Sequence, residues 1–148
     1  MDVHASVDAT VSDDRLFSKV SDLATYTEWL DIVHQVEVLP EVGGHQAWQV
    51  ELRARVGPFA RSKRLRMVRT ICDRPHEVTF ERHESDGKQH SPWVLRATID
   101  SVPSGSTLHM HLHYGGSLFT GGLMERLLTD QIRQGSDRLL AMFATDEN

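Results

Sequence analysis

The sequence predicts an α+β fold in which a curved, seven-stranded antiparallel sheet wraps around one long C-terminal helix. Between residue 30 and residue 114 apolar and polar residues alternate almost throughout, which is the two-residue period of half-buried strands. Each stretch keeps one wet face, so the sheet is covered on one side only, as antiparallel sheets commonly are. After residue 114 the period changes. Leu123, Met124, Leu127, Leu128, Ile132, Leu139, Met142 and Phe143 fall three, four or seven apart and form one helical face, with Glu125, Arg126, Asp130, Arg133, Asp137 and Arg138 opposite.

Taken in order, Val3, Ala5, Val7 and Ala9 alternate with His4, Ser6 and Asp8 as a first strand. Ser12 then supplies a helix N-cap, and Asp13 and Asp14 complement the exposed amides of the first turn. A short helix through Leu16, Phe17 and Val20 follows, and Ser21-Asp22 caps another through Leu23, Tyr26, Trp29 and Leu30. Both are too short to stand alone, so they are expected to plug one end of the sheet.

Six strands come next. Ile32, His34, Val36 and Val38 alternate up to Pro40, and Glu41-Val42-Gly43-Gly44 turns the chain into Trp48, Val50, Leu52, Ala54 and Val56. After Gly57-Pro58, Leu65, Met67 and Ile71 continue the apolar face. Val78 and Phe80 follow Arg74-Pro75, and Trp93, Leu95, Ala97 and Ile99 follow Ser91-Pro92. Pro103-Ser104-Gly105 leads into Leu108, Met110, Leu112 and Tyr114. The final helix is expected from about Gly122 to Phe143. Gly135 inside it costs roughly 1 kcal/mol relative to Ala, which asks for a packing reason: space for a ligand, or a close helix-to-sheet contact.

At 148 residues the chain is one domain's length, enough to bury roughly 68–70% of the unfolded surface. The hydrophobic fraction of 39% and charged fraction of 25% are those of a soluble globular protein, and no apolar run approaches a membrane span. Met1-Asp2-Val3-His4 lacks the basic and apolar regions of a secretory signal, and the lone Cys72 fits a reducing compartment; a cytoplasmic location is expected. The net charge of −5 argues against nucleic acid as the main partner.

The order strand, two short helices, six strands, long helix resembles the START-like or SRPBCC superfamily with its helix-grip fold, and more narrowly its polyketide cyclase/dehydrase and lipid-transport group. The resemblance covers nearly the whole chain. It rests on Val11-Ser12-Asp13-Asp14-Arg15-Leu16-Phe17, on Leu23-Ala24-Thr25-Tyr26-Thr27-Glu28-Trp29-Leu30, and on the stretch from Gly115 to Gly122 before the last helix. It implies an apolar cavity between the concave sheet and the long helix, holding a lipid, polyketide, quinone, hormone or other hydrophobic small molecule.

If the apolar face lines such a cavity, the polar residues in phase with it are the candidate anchors. Arg69 continues Leu65 and Met67, and Arg82 continues Val78 and Phe80. A guanidinium facing an apolar interior needs an anionic or carbonyl partner: a ligand group, or the in-phase Glu84, or water reached from a strand end. His34 lies in phase with Val36 and Val38 and is read either as an anchor or acid/base group or as a rim histidine. Trp48, Trp93 and Tyr114 combine apolar bodies with polar tips that suit packing and flat ligands alike. Met67, Phe80, Met124 and Leu128 complete the apolar wall. Gly57-Pro58-Phe59, Gly115-Gly116-Ser117 and Thr120-Gly121-Gly122 supply permissive backbone for a gate, with Phe59, Leu118 and Phe119 as its lids.

Two conspicuous patterns are assigned to the outer face. His109, His111 and His113 alternate with Leu108, Met110 and Leu112, and no complete ligand set joins them, so neither metal nor cofactor is expected. Arg53, Arg55, Arg61, Lys63, Arg64, Arg66 and Arg69 crowd seven of the sixteen cations into one stretch. It reads as a basic patch or as a surface neutralised by Glu51, Glu77 and Glu81 across the strands. No Gly-rich phosphate loop, Gly-x-Ser-x-Gly, His-Glu-x-x-His or Cys-x-x-Cys occurs, and Cys72 is placed on the outer face. The expected function is binding, with possible transport, of a hydrophobic small molecule by a monomer or homodimer. A polyketide aromatase/cyclase or dehydratase using Arg69, Arg82, Tyr114 or His34 is the alternative, and a ribosome- or protein-interaction module the third.

Overall fold

The computed structural model describes residues 1–115 and 123–146, except for the side chains of a few of these. β1 (Asp2–Ala9) is followed by α1 (Asp13–Val20) and a 3-10 helix (Leu23–Glu28). Then come β2 (Val33–Val42), β3 (His45–Val56), β4 (Phe59–Asp73), β5 (Glu77–Arg82), β6 (Trp93–Val102), β7 (Gly105–Tyr114) and α2 (Leu123–Asp146). All neighbouring strands are antiparallel, in the order β1-β7-β6-β5-β4-β3-β2, so β1 and β2 form the edges of the curved sheet. This is the expected α+β, helix-grip architecture.

The local signals act as read. Ser12 Oγ accepts from the Arg15 amide at 3.3 Å, and Leu16, Phe17 and Val20 are buried. Asp22 caps the 3-10 helix through the Ala24 amide at 3.0 Å, while Ser21 closes α1. Tyr26 and Trp29 are 1% exposed and pack their rings 4.8 Å apart, so the two short helices plug the sheet with aromatic mass. Tyr26 donates its hydroxyl to the Val20 carbonyl at 2.7 Å, and burial pushes its phenol well above the usual value.

Gly135 has a packing reason. A Cβ at this position would stand 2.5 Å from the Trp29 carbonyl oxygen and 2.7 Å from Leu30 Cδ2, so the absent side chain lets α2 sit directly on the end of the 3-10 helix. The close contact is with this plug rather than with the sheet. Arg138 adds an ion pair to Asp31 in the same region.

Of the three register shifts among the described strands, two correct the strand phases read from alternation. Val33 pairs with Leu52 and Gln35 with Glu51, leaving His34 as the extra residue; it is exposed, and the series in phase with buried Val33 runs through half-buried Val36 to Val38, which is 60% exposed. In β4, Arg69 pairs with Phe80 but Ile71 with Thr79, so Thr70 is the extra residue. Ile71 is thereby turned out, 43% exposed. Cys72, expected on the outer face, pairs with the inward-phased Val78 and is exposed.

Candidate ligand-binding site

An apolar cavity of about 90 Å³ lies between the concave sheet and α2. Val33 of β2, Val50 and Leu52 of β3, Leu65 and Met67 of β4, Trp93 and Leu95 of β6, and Met110 and Leu112 of β7 form its wall. Leu23, Tyr26, Leu30 and Ile32 close one side, and Gln131 and Ile132 of α2 cover it. The sheet phases explain the lining: Val50 pairs with Leu65, Leu52 with Val33, and Ala97, next in phase to Leu95, with Met110, so inward side chains from five strands converge.

Of the residues singled out from the sequence, Met67 and Trp93 line this cavity. Trp48 and Phe80 stand beside it in an aromatic cluster, their rings 5.5 Å apart and edge-to-face, with Phe80 also edge-on to Tyr26 at 6.2 Å. Tyr114 packs on Trp93 at 5.0 Å. His34 is on the bulge and Phe59 is 70% exposed at the β3–β4 tip, so neither touches the cavity. Leu118 and Phe119, with most of the expected gate, lie outside the described residues, as do the side chains of Met124 and Leu128.

Both arginines have protein partners. Arg69 Nη1 donates to the Ser21 carbonyl at 2.9 Å while its guanidinium lies 5.7 Å from the Trp48 ring centroid, tying the end of α1 to the sheet. Arg82 donates to Glu84 Oε1 at 3.1 Å and to the Ser91 carbonyl at 3.3 Å, with His90 Nδ1 3.3 Å away. Glu84 also accepts from the Arg66 amide, and His90 reaches Asp86 at 2.8 Å. This network braces the segment from His83 to Pro92. Nearby, burial lowers the pKa of Lys63, and repulsion from Arg82 lowers it further.

One polar lining residue, Gln131, was not singled out beforehand. Gln131 accepts from the Ile32 amide at 2.9 Å through Oε1, leaving its amino group as a donor. The signal was present, since Gln131 follows Leu127 by four residues and Leu128 by three and so belongs to the apolar face. The indole N–H of Trp93, a residue singled out for its polar tip, is buried behind the cavity wall and without a hydrogen-bond partner.

The outer face carries the two conspicuous patterns. His111 and His113 both approach Asp2 Oδ1, at 2.7 and 3.0 Å, and these hydrogen bonds hold the Asp2 carboxyl below the usual carboxylate range. His109 meets Asp100 at 3.2 Å, and His4 stacks on His111 at 4.3 Å. Among the described residues no group of three or more His, Cys, Asp or Glu is arranged to hold a metal ion. Arg64 reaches Glu51 at 4.0 Å, whereas Glu77 is taken by Arg96. A separate, open groove of about 390 Å³ runs between β1 and α2, with His4, Ser6, Asp8, Arg133 and Asp137 making it polar.

Among known families, the one described as polyketide cyclase / dehydrase and lipid transport matches residues 1–143. A protein of Thermus thermophilus is similar in structure, with a TM-score of 0.73 at 16% identity over 96% of this chain and 99% of that one. A START superfamily protein from Mycobacterium smegmatis has a TM-score of 0.70 at 16% identity, covering 95% of both chains. The di-domain ARO/CYC StfQ from the steffimycin biosynthetic pathway has 0.70 at 14% identity, over 99% of this chain and 51% of its own. No curated protein matches the sequence. At these identities the structural likeness is one of fold. Among the described residues no helix is long and apolar enough to cross a membrane.

Proposed function

The chain belongs to the polyketide cyclase / dehydrase and lipid transport family, and on that premise we propose that it binds a hydrophobic small molecule, a lipid or polyketide, between the sheet and α2. The observation that carries this reading is the cavity itself: five strands, the 3-10 helix and α2 converge on it with almost wholly apolar side chains. Its surface is apolar throughout, and the unpartnered Trp93 indole N–H is buried behind it. A ligand is therefore held by burial of its apolar surface, worth roughly 25 cal/mol per Å². Because the cavity of about 90 Å³ is below the roughly 300–1,000 Å³ usual for ligand sites, uptake of a lipid or polyketide requires its walls to part.

Binding is favoured over turnover. Among the described lining residues the one titratable group is Tyr26, whose hydroxyl is engaged by Val20 and whose pKa is raised by burial. General acid/base catalysis needs a group poised near the working pH, and the lining offers none. An aromatase/cyclase role would require acid/base groups from outside this lining.

The test is native mass spectrometry of protein purified gently from its host, combined with displacement of an apolar fluorophore. The parent should carry or take up an apolar compound and release it unchanged. Val33→Phe and Leu112→Trp, which fill the cavity, should abolish uptake while the far-ultraviolet circular dichroism stays native. Uptake that survives both variants places the ligand elsewhere and sinks the reading.

A further inference from the structure

Residues 52–66 hold six of the chain's sixteen cations and none of its 21 acids, so against a total of −5 the remainder of the protein carries −11. These residues are the distal part of the β3–β4 hairpin. Residues 57–62 are all exposed, and the tip presents Phe59, 70% exposed and the most exposed large hydrophobic among the described residues. A single exposed phenylalanine is ordinary. Its setting is not, because cations surround it on both faces of the ribbon. The register pairs Arg53 with Ser62 and Arg55 with Ala60 on the outer face, and places Arg61 opposite the inward-phased Ala54 on the other. Among the described residues neither Arg55 nor Arg61 has an ion-pair partner.

We propose that the β3–β4 tip docks on an anionic phospholipid bilayer, with Phe59 entering the interfacial region and Arg53, Arg55 and Arg61 engaging lipid phosphates. An aromatic ring is favoured at the headgroup level, and guanidinium groups match phosphate geometry. The charge asymmetry sets the orientation: the basic tip is drawn to the surface while the acidic remainder is repelled. The same strands line the cavity through Val50, Leu52 and Leu65. From Leu52 to the turn is a few residues, roughly 20 Å at ~3.3 Å per residue, so docking holds the cavity close to the phase in which an apolar ligand dissolves. Nucleic acid is the less favoured occupant, because single-stranded bases stack on several aromatic residues set among cations, and this arm offers one.

Vesicle co-sedimentation of the full chain tests the proposal, using phosphatidylcholine alone or mixed with phosphatidylglycerol. The protein should bind only the mixed vesicles, and salt should reverse binding. R55E/R61E, at exposed sites without ion-pair partners, should weaken binding by at least about 30-fold, at roughly fivefold per surface cation removed. F59W should gain blue-shifted emission on adding the mixed vesicles. No binding to mixed vesicles at low salt overturns the proposal, as does full binding by R55E/R61E. So does tighter, salt-sensitive binding to RNA with no shift in F59W. The cavity-filled variant Leu112→Trp should still sediment with mixed vesicles, which separates failure of the ligand reading from failure of this one.

Discussion

Replacing Gly135 by Ala sets two effects of known sign against each other. Ala is favoured over Gly inside a helix by about 1 kcal/mol, so on propensity alone the variant should be more stable. Packing opposes this. The added Cβ would stand 2.5 Å from the Trp29 carbonyl oxygen, 2.7 Å from Leu30 Cδ2 and 3.1 Å from Trp29 Cε3. Ordinary contact lies at roughly 3.5 Å, so α2 must retreat by roughly 1 Å. Leu30 can yield by changing rotamer, but the Trp29 oxygen is backbone. Overpacking of this kind costs about 1–3 kcal/mol, and a gap of 0.5–1 Å forfeits about a quarter to a half of each neighbouring contact. The expected net loss is about 1 kcal/mol, or about 2–4 °C in Tm at this chain length. Thermal unfolding followed by circular dichroism measures it. In a Leu30→Ala background only part of the loss should be recovered. A Tm raised by Gly135→Ala would show that α2 does not rest on the 3-10 helix, and the assigned reason for the glycine would fail.

The remaining predictions concern the arginines, Trp93 and acid stability. Arg82→Met leaves Glu84 the Arg66 amide as its hydrogen-bond donor, with Lys63 nearby; the Arg82 and Glu84 side chains are 8% and 19% exposed, so unfolding in urea should show a loss of about 3 kcal/mol, reduced when Glu84→Gln is added. Arg69→Met should cost about 1.5–3 kcal/mol through the lost bond to the Ser21 carbonyl. If either variant keeps its stability and loses only ligand affinity, that guanidinium is a ligand anchor after all. Trp93→Phe should change the affinity of carbonyl-bearing and hydrocarbon ligands alike in calorimetric titrations, because the indole N–H is buried away from the cavity surface; a selective loss for carbonyl-bearing ligands would show that the indole donates to them. The carboxyls of Asp2 and Asp31 are lowered by hydrogen bonds from His111, His113 and Arg138. Their stabilisation is complete above the ordinary carboxylate value near 4 and is lost as pH falls through the lowered values. Asp2→Asn should therefore shrink the drop in urea midpoint between about pH 6 and about pH 3; an unchanged drop would show that these pairs do not contribute.

Element order, helix caps and most of the inward-facing residues follow from the sequence, because they depend on local rules. Ser12 and Asp22 cap helices through amides two or three residues away, and alternation identifies Val50, Leu65, Leu108 and Met110 as inward from neighbours two positions along. The two bulges lie beyond those rules. Nothing in the alternation of Ile32, His34, Val36 and Val38 marks His34 as an unpaired residue, because a bulge is a property of two strands in register. The same holds for Thr70, which sends Ile71 outward. Tertiary structure also chose among readings that remained open. Arg69 meets a carbonyl 48 residues away, Gln131 meets an amide 99 residues away, and Gly135 meets the Trp29 backbone. The cavity is the extreme case, since its wall exists only where five strands, the 3-10 helix and α2 arrive together. Outside the bulges periodicity tells a side chain which way to face, but the volume enclosed and the partners met there depend on distances between elements that no local pattern encodes.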